Sequence, residues 1–363
     1  MTTRRRFLQT AGATLSGLTL SSCGWTLANV RQSAPTSGSS DELYIYTWAG
    51  YTDKELLDRF EEETGIRAIA DVFDSNESML ARIQASGGGS YSIIYPSDYM
   101  VQKMAELGLL TPLDKSRIIG LEQLFSGFRN PNYDPGDKYS VPLSWGTTGL
   151  VYNRKKLPEK PEDWDYLWKY KEKLSKRITL LNDVREVMGA TLRMLGYSYN
   201  AKDPKQIRAA YQKLADLKPA IASFSSDAWR SQILTGDLLI AMCYSSDANE
   251  VMLENEDLQY VLPLSGSSLW ADTLVIPRTA PNPEGGYAWI NFMLKPDVVA
   301  RICERLSFAT PNQKAFNILP KEVRNNVSLF PPQPALGNSE GLIPLPDEIS
   351  ELYDRYWTKL TSA

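Results

Sequence analysis

The sequence predicts an α/β protein of two lobes, each a mostly parallel sheet flanked by helices. Three observations lead there. Short apolar strands alternate with amphipathic helices in two series, one within residues 43–108 and one within 178–247, and this alternation builds βαβ units on a parallel sheet. A long extended run, Tyr139 to Tyr152, separates the two series and can carry the chain from one lobe to the next. The folded stretch, roughly residues 41–363, is long enough for two cores.

The first forty residues read as targeting. Thr3-Arg4-Arg5-Arg6-Phe7-Leu8 is a twin-arginine pattern, and the mildly apolar run Ala11 to Leu20 follows it. That run is shorter than the roughly 20 residues a membrane span needs. Leu20-Ser21-Ser22-Cys23 resembles a lipobox, in which the peptide is cut before the cysteine and the thiol carries a diacylglycerol. An ordinary signal peptide with an incidental cysteine is the alternative. Gly24 to about Ser40 is rich in small and polar residues and reads as a flexible tether.

Taken in order, Leu43 to Trp48 is a strand. Asp53 then caps a helix that carries Leu56, Leu57 and Phe60 on one face and stops at Gly65. Ile66 to Phe73 is the next strand, and Asp74 to Ser78 opens a helix bearing Met79, Leu80 and Ile83. Tyr91 to Tyr95 is a short strand ending in Pro96-Ser97-Asp98-Tyr99, and a helix with Val101, Met104 and Leu107 closes at Gly108. In the second series Ile178 to Leu181 is a strand with a helix after Asp183. Lys205 to Leu217 and Trp229 to Leu234 are helices, and Leu238 to Cys243 is a strand. Within Ser268 to Pro277, the short apolar run Leu274-Val275-Ile276 reads as a buried strand closed by Pro277. Helices at 283–294, 296–306 and about 346–361 complete the chain.

Composition excludes several functions. The chain has 39 basic and 43 acidic residues; three of the arginines lie within 1–22, so the remainder carries 36 against 43, a net charge of −7. That argues against nucleic acid and favours a cationic partner. There is no histidine, which removes histidine triads, the commonest general base and the commonest zinc ligand. Neither a cofactor nor a metal is implied. Besides Cys23 only Cys243 and Cys303 occur. They could pair, but buried free thiols are the expectation.

Ligands of parallel sheets sit outside the C-terminal strand ends. Five segments place aromatic and acidic residues there: Trp48 and Tyr51; Ser97, Asp98 and Tyr99; Asp183 and Glu186; Tyr244 and Asp247; Trp270 and Asp272. Trp270 and Asp272 are two apart on an extended chain and so share a face. An indole and a carboxylate side by side can hold an organic ammonium. Each segment also has a plainer reading. Asp183 and Glu186 have the spacing of a capping box, Asp98 can cap the helix after it, and the aromatics can be core or rim. Together they meet the requirements of an aliphatic polyamine. Crowded carboxylates repel one another and drift toward protonation, a polycation removes that conflict, and aromatic faces cover its methylenes.

These residues resemble the spermidine/putrescine-binding proteins of bacterial polyamine ABC transporters. The resemblance runs from about Leu43 to Leu360 and rests on LYIYTWAGY (43–51), FDSNESMLARI (73–83), YPSDYM (95–100), DVREV (183–187), LGYS (195–198), LWADTLVIP (269–277), INFMLKPDVV (290–299) and ATPN (309–312). It implies a type II periplasmic-binding-protein fold that closes about hinges near 145–147 and 270–273. It also implies a monomer that binds a polyamine and delivers it to inner-membrane permease subunits, in the periplasm and anchored through Cys23. The implied organisation is a signal peptide at 1–22, anchor and tether at 23–40, first lobe at 41–145, second lobe at 146–270, a return to the first lobe at 271–312, and a C-terminal segment at 313–363 packed on the second lobe.

The sequence departs from that family in places. Ala49-Gly50 stands where relatives carry a Thr/Ser–Glu/Asp pair that binds an amine; Asp98 could supply the missing charge. Tyr244 replaces a usual tryptophan, Phe308 replaces a common tyrosine, and a glutamine of spermidine binders has no clear counterpart around Gly341-Leu342-Ile343. Asp247 resembles an aspartate of putrescine-preferring relatives, and Asp183 follows the spermidine pattern. Rival readings are a same-fold receptor for thiamine, a basic amino acid or ferric iron, a secreted carboxylate-pair hydrolase, and a structural envelope lipoprotein. No Gly-x-Ser-x-Gly elbow is present.

Overall fold

The computed structural model describes residues 41–362 apart from Gly88. The twin-arginine pattern, Cys23 and the tether lie outside the described residues. Among the described residues ten strands make one connected sheet: β1 (Glu42–Trp48), β2 (Arg67–Phe73), β3 (Ile93–Ile94), β4 (Ser140–Asn153), β5 (Ile178–Leu180), β6 (Ile221–Phe224), β7 (Ile240–Tyr244), β8 (Leu258–Val261), β9 (Ser268–Val275) and β10 (Glu340–Gly341). The order is β2-β1-β3-β9-β4-β7-β5-β6, with β10 beside β9 and β8 beside β4.

Local chemistry sets the expected ends. Asp53 accepts the Leu56 N–H at 2.8 Å to start helix Lys54–Thr64, and Gly65 ends it at φ +74°, a backbone state open to glycine at little cost. Ser75 and Ser78 form a capping box on helix Asn76–Ala85. The strand expected over Tyr91 to Tyr95 shortens to Ile93–Ile94. Its flanks still bond to β1, Ser92 N–H to Tyr44 O and Tyr95 N–H to Tyr46 O. Two strands had no clear pattern. Ile221–Phe224 has bulky apolar residues only at its ends, and Leu258–Val261 sets the adjacent Gln259 and Tyr260 between two apolar ends, which is not a period-2 pattern.

β4 joins the two halves. Its residues Ser140–Thr147 pair antiparallel with β9, and Thr148–Asn153 pair with β7 and β8. On one side β1, β2 and β3 run parallel; on the other β5, β6 and β7 do. Two large cores follow this division. One packs Leu43 to Leu143 with Leu274 to Leu319, and the other packs Leu150 to Met242 with Leu342 to Leu360. The segment expected to lie wholly on the second lobe is divided. Ala315 and Leu319, with Phe316, Val323 and Phe330, bury against the first core. Only from Leu342 does the chain join the second, through Ile349, Tyr353 and Leu360. The apolar stretch 315–330 follows helix Pro296–Leu306 without a long linker, so the nearer core takes it.

Cys243 and Cys303 are buried free thiols, one on the β7 side and one in the first core. No helix among the described residues is long and apolar enough to cross a membrane.

Candidate functional site

The C-terminal ends of β1, β2 and β3 face those of β5, β6 and β7 across a cleft of about 360 Å³. All eleven residues expected from the sequence line it: Trp48, Tyr51, Ser97, Asp98, Tyr99, Asp183, Glu186, Tyr244, Asp247, Trp270 and Asp272. A second cavity, of about 10 Å³, is an apolar gap beside Trp164 and Leu214.

β9 crosses the cleft and serves both walls. Asp272 turns toward the first lobe, where it accepts hydrogen bonds from Tyr51 Oη and, at 2.8 Å, from Ser97 Oγ. Ser144 Oγ on β4 shares a 2.9 Å bond with Tyr51 Oη, and Asn76 Nδ2 donates to Ser97 Oγ at 3.0 Å. Two residues away, Trp270 meets Tyr244 of the second lobe edge-on, with ring centroids 5.8 Å apart. Tyr51 lies along Phe308, centroids 5.4 Å apart, and Trp48 leans on Phe73 at 4.4 Å.

Asp183 and Glu186 form only half of a capping box. Asp183 accepts the Arg185 and Glu186 N–H groups at 2.8 and 3.1 Å and starts helix Val184–Met194. The Glu186 carboxylate does not reach back. It accepts Ser268 Oγ at 2.8 Å and Tyr199 Oη at 2.9 Å, two buried hydroxyls that hold it at the cleft. Asp98 sits in the first turn of helix Asp98–Glu106, after Ser97 at the cap position, and accepts the Tyr99 N–H at 2.7 Å.

The electrostatics follow from burial. Asp98, Glu186 and Asp272 are buried and Asp183 is half-buried; none of the four is in an ion pair with another described residue. Loss of water raises the pKa of each. Glu186 is pushed up to about 7, first by burial and then by the Asp183 charge. Asp98 rises well above the carboxylate range through burial, with Asp272 and Glu186 adding repulsion.

Asp247 is different. It lines the cleft, but its carboxylate lies 2.7 Å from Arg230 Nη2, so it is already paired. Arg230 lies in the first turn of helix Trp229–Thr235, and Ser226 and Asp227 lie in the loop between it and β6; the sequence pattern does not reveal β6 and so does not mark these three residues as following a strand end. Glu77 is a further cleft residue without a prior role; it accepts Tyr99 Oη at 2.9 Å. Its position was readable, because it too follows a parallel strand end. Gly50 does not line the cleft, although Ala49 does.

Two α/β halves joined by adjacent strands, with an acidic and aromatic cleft between them, define a two-lobed solute-binding protein of the type II fold. Residues 55–331 match the family described as bacterial extracellular solute-binding protein. The chain is 36% identical over 329 residues to the spermidine/putrescine-binding periplasmic protein of Salmonella typhimurium, covering 90% of this chain and 94% of that one. Among solved structures, the spermidine/putrescine ABC transporter substrate-binding protein PotD of Streptococcus pneumoniae has a TM-score of 0.80 at 38% identity, covering 89% of this chain and 99% of that one. The Tp0655 lipoprotein (TpPotD) of Treponema pallidum also gives 0.80, at 27% identity, covering 89% and 100%. The chain belongs to the family of spermidine/putrescine-binding periplasmic proteins.

Proposed function

We propose that this chain captures putrescine or spermidine between its lobes and delivers it to the permease of an ABC transporter. One observation carries the reading. Asp98, Asp183, Glu186 and Asp272 converge on one cleft, none of them in an ion pair with another described residue, beside Trp48, Tyr51, Tyr99, Tyr244 and Trp270. Buried carboxylates at such density need a cation. Separate ammonium groups joined by methylenes match separate acids divided by rings. Asp272 holds one ammonium with Trp270 over its carbons; Asp183 and Glu186 hold another from the second lobe. Contacts from both lobes stabilise the closed form, so ligand and closure are linked.

The reaction is binding and release without covalent chemistry. The Salmonella relative, a spermidine/putrescine-binding periplasmic protein, supports the ligand class, and the Streptococcus relative, an ABC transporter substrate-binding protein, supports the transporter partner. Export through the twin-arginine pattern and anchoring through Cys23 complete the reading, and the Treponema relative, a lipoprotein, supports the anchor.

Calorimetric titration with putrescine, spermidine, thiamine, arginine and ferric citrate tests the function. Polyamines should bind and the others should not. A ligand at 100 times its dissociation constant should also stabilise the fold by about 2.7 kcal/mol. Heat with thiamine or arginine but none with either polyamine would replace this reading with a rival.

A further inference from the structure

Among the acids of the cleft, Asp227 and Asp247 are the two in an ion pair with a described guanidinium, that of Arg230. Helix Trp229–Thr235 packs on helix Ser245–Glu254 through Trp229 and Ile233 against Ala248 and Val251. That packing sets Arg230 between acids of both elements. Nη1 lies 2.6 Å from Asp227 Oδ1, Nη2 2.7 Å from Asp247 Oδ1, and Nε 3.6 Å from Glu250 Oε2. Asp247 and Glu250 are one turn apart and so present one face. The guanidinium also stands 5.7 Å from the Trp229 ring.

We infer that Arg230 is a built-in cation that occupies the ammonium position Asp247 would otherwise offer, and that it thereby limits how many amine charges the cleft accepts. This rests on the polyamine reading and deepens it. Three features support the assignment. Arg230 and Asp247 both line the cleft. The pair is only partly exposed, 31% and 16% for the two side chains, so solvent screens it incompletely. Three carboxylates around one guanidinium fix its position, whereas an arriving ammonium would have to break the closest contact on the cleft side and would meet the guanidinium's own positive charge. The charge available to ligand therefore resides in Asp98, Asp183, Glu186 and Asp272. Arg230 is a specificity-determining residue: it disfavours polyamines with more ammonium groups.

The test is a double-mutant cycle read by calorimetry with putrescine, spermidine and spermine. Arg230→Met keeps the apolar stem and frees Asp247. It should raise spermidine and spermine affinity by about tenfold or more, and putrescine affinity less. Asp247→Asn in the wild-type background should change affinity by less than about threefold, and in the Arg230→Met background it should cancel the gain. The double variant removes both charges of the Arg230–Asp247 pair and leaves the more exposed Asp227 and Glu250 without Arg230; melting temperatures of all four proteins, taken beside the titrations, separate an effect on folding from an effect on binding. Loss of more than about tenfold in Asp247→Asn alone, with no gain in Arg230→Met, would overturn the assignment, because Asp247 would then hold ligand directly. Wild-type protein that binds no polyamine would instead remove the reading beneath it.

Discussion

Gly146 lies directly beneath the indole of Trp270. The two are register partners on β4 and β9, and a Cβ at Gly146 would stand 2.2 Å from Trp270 Cζ2 and 2.7 Å from Ser245 Oγ. The absence of a side chain on one crossover strand is therefore what seats the aromatic residue of the other. Trp270 in turn meets Tyr244, so this single contact ties the hinge to the second wall of the cleft.

Gly146→Ala should push the indole out of place. Overpacking of this kind costs about 1–3 kcal/mol. Both the unfolding midpoint and polyamine affinity should fall, and the tryptophan emission on ligand addition should change. A variant with native affinity and native emission response would show that Trp270 is not seated by Gly146.

Asp272→Asn removes the charge and keeps the shape. Tyr51 and Ser97 are hydroxyl donors that can turn to suit an amide, so folding should be nearly unchanged. Loss of one charge-assisted contact should cost roughly 1.5–3 kcal/mol of binding, about 10- to 150-fold. Calorimetry showing unchanged affinity would remove Asp272 from the site.

Much of this was legible because strand ends are legible. Leu43 to Trp48, Ile178 to Leu180 and the run into Tyr244 have enough apolar residues to mark where parallel strands stop, and ligand sites follow those ends. Ile221–Phe224 has too few, so nothing in the sequence marks the helix Trp229 to Leu234, with Arg230 in its first turn, as following a parallel strand end. Spacing also misled at Glu186. The interval from Asp183 is that of a capping box, but Ser268 and Tyr199 lie 82 and 13 residues away in sequence and compete for the same carboxylate. Tertiary donors override a local motif whenever they are buried and nearer. The fate of residues 315–330 is of the same kind: a short apolar stretch does not state which of two cores it will join.

Glu186 makes the protein sensitive to pH in two ways. Its folded pKa of about 7 lies above the ordinary 4.5. The folded state thus binds the proton more tightly than the unfolded state, and this contribution is fully present below about pH 4.5 and lost as pH rises through about 7. Ligand-free protein should lose up to about 3 kcal/mol over that window, and Glu186→Gln should flatten the profile. A bound ammonium favours the carboxylate, so polyamine binding near neutral pH should release protons. Titration in buffers of different ionisation enthalpy measures this directly; identical heats in all buffers would show that no cleft carboxylate titrates on binding.

The loop after β1 explains a departure from relatives and yields the last expectation. Gly50 holds φ at +80°, and a Cβ there would point at Leu306 Cδ2, 3.3 Å away. Its carbonyl accepts Arg305 Nη1 at 2.6 Å, which ties the loop to helix Pro296–Leu306 on the side away from the ligand. An acid placed at this position would thus not reach the cleft without a different backbone. Gly50→Glu should cost about 1–2 kcal/mol of stability, from the left-handed conformation, and gain no affinity. Ala49 does line the cleft, and Ala49→Glu should strengthen polyamine binding by adding a carboxylate where none stands. Equilibrium unfolding and calorimetry on the two variants decide the matter. If Gly50→Glu were the one that bound more tightly, the loop would have to turn over on ligand binding, and the missing acid would be a simple substitution after all.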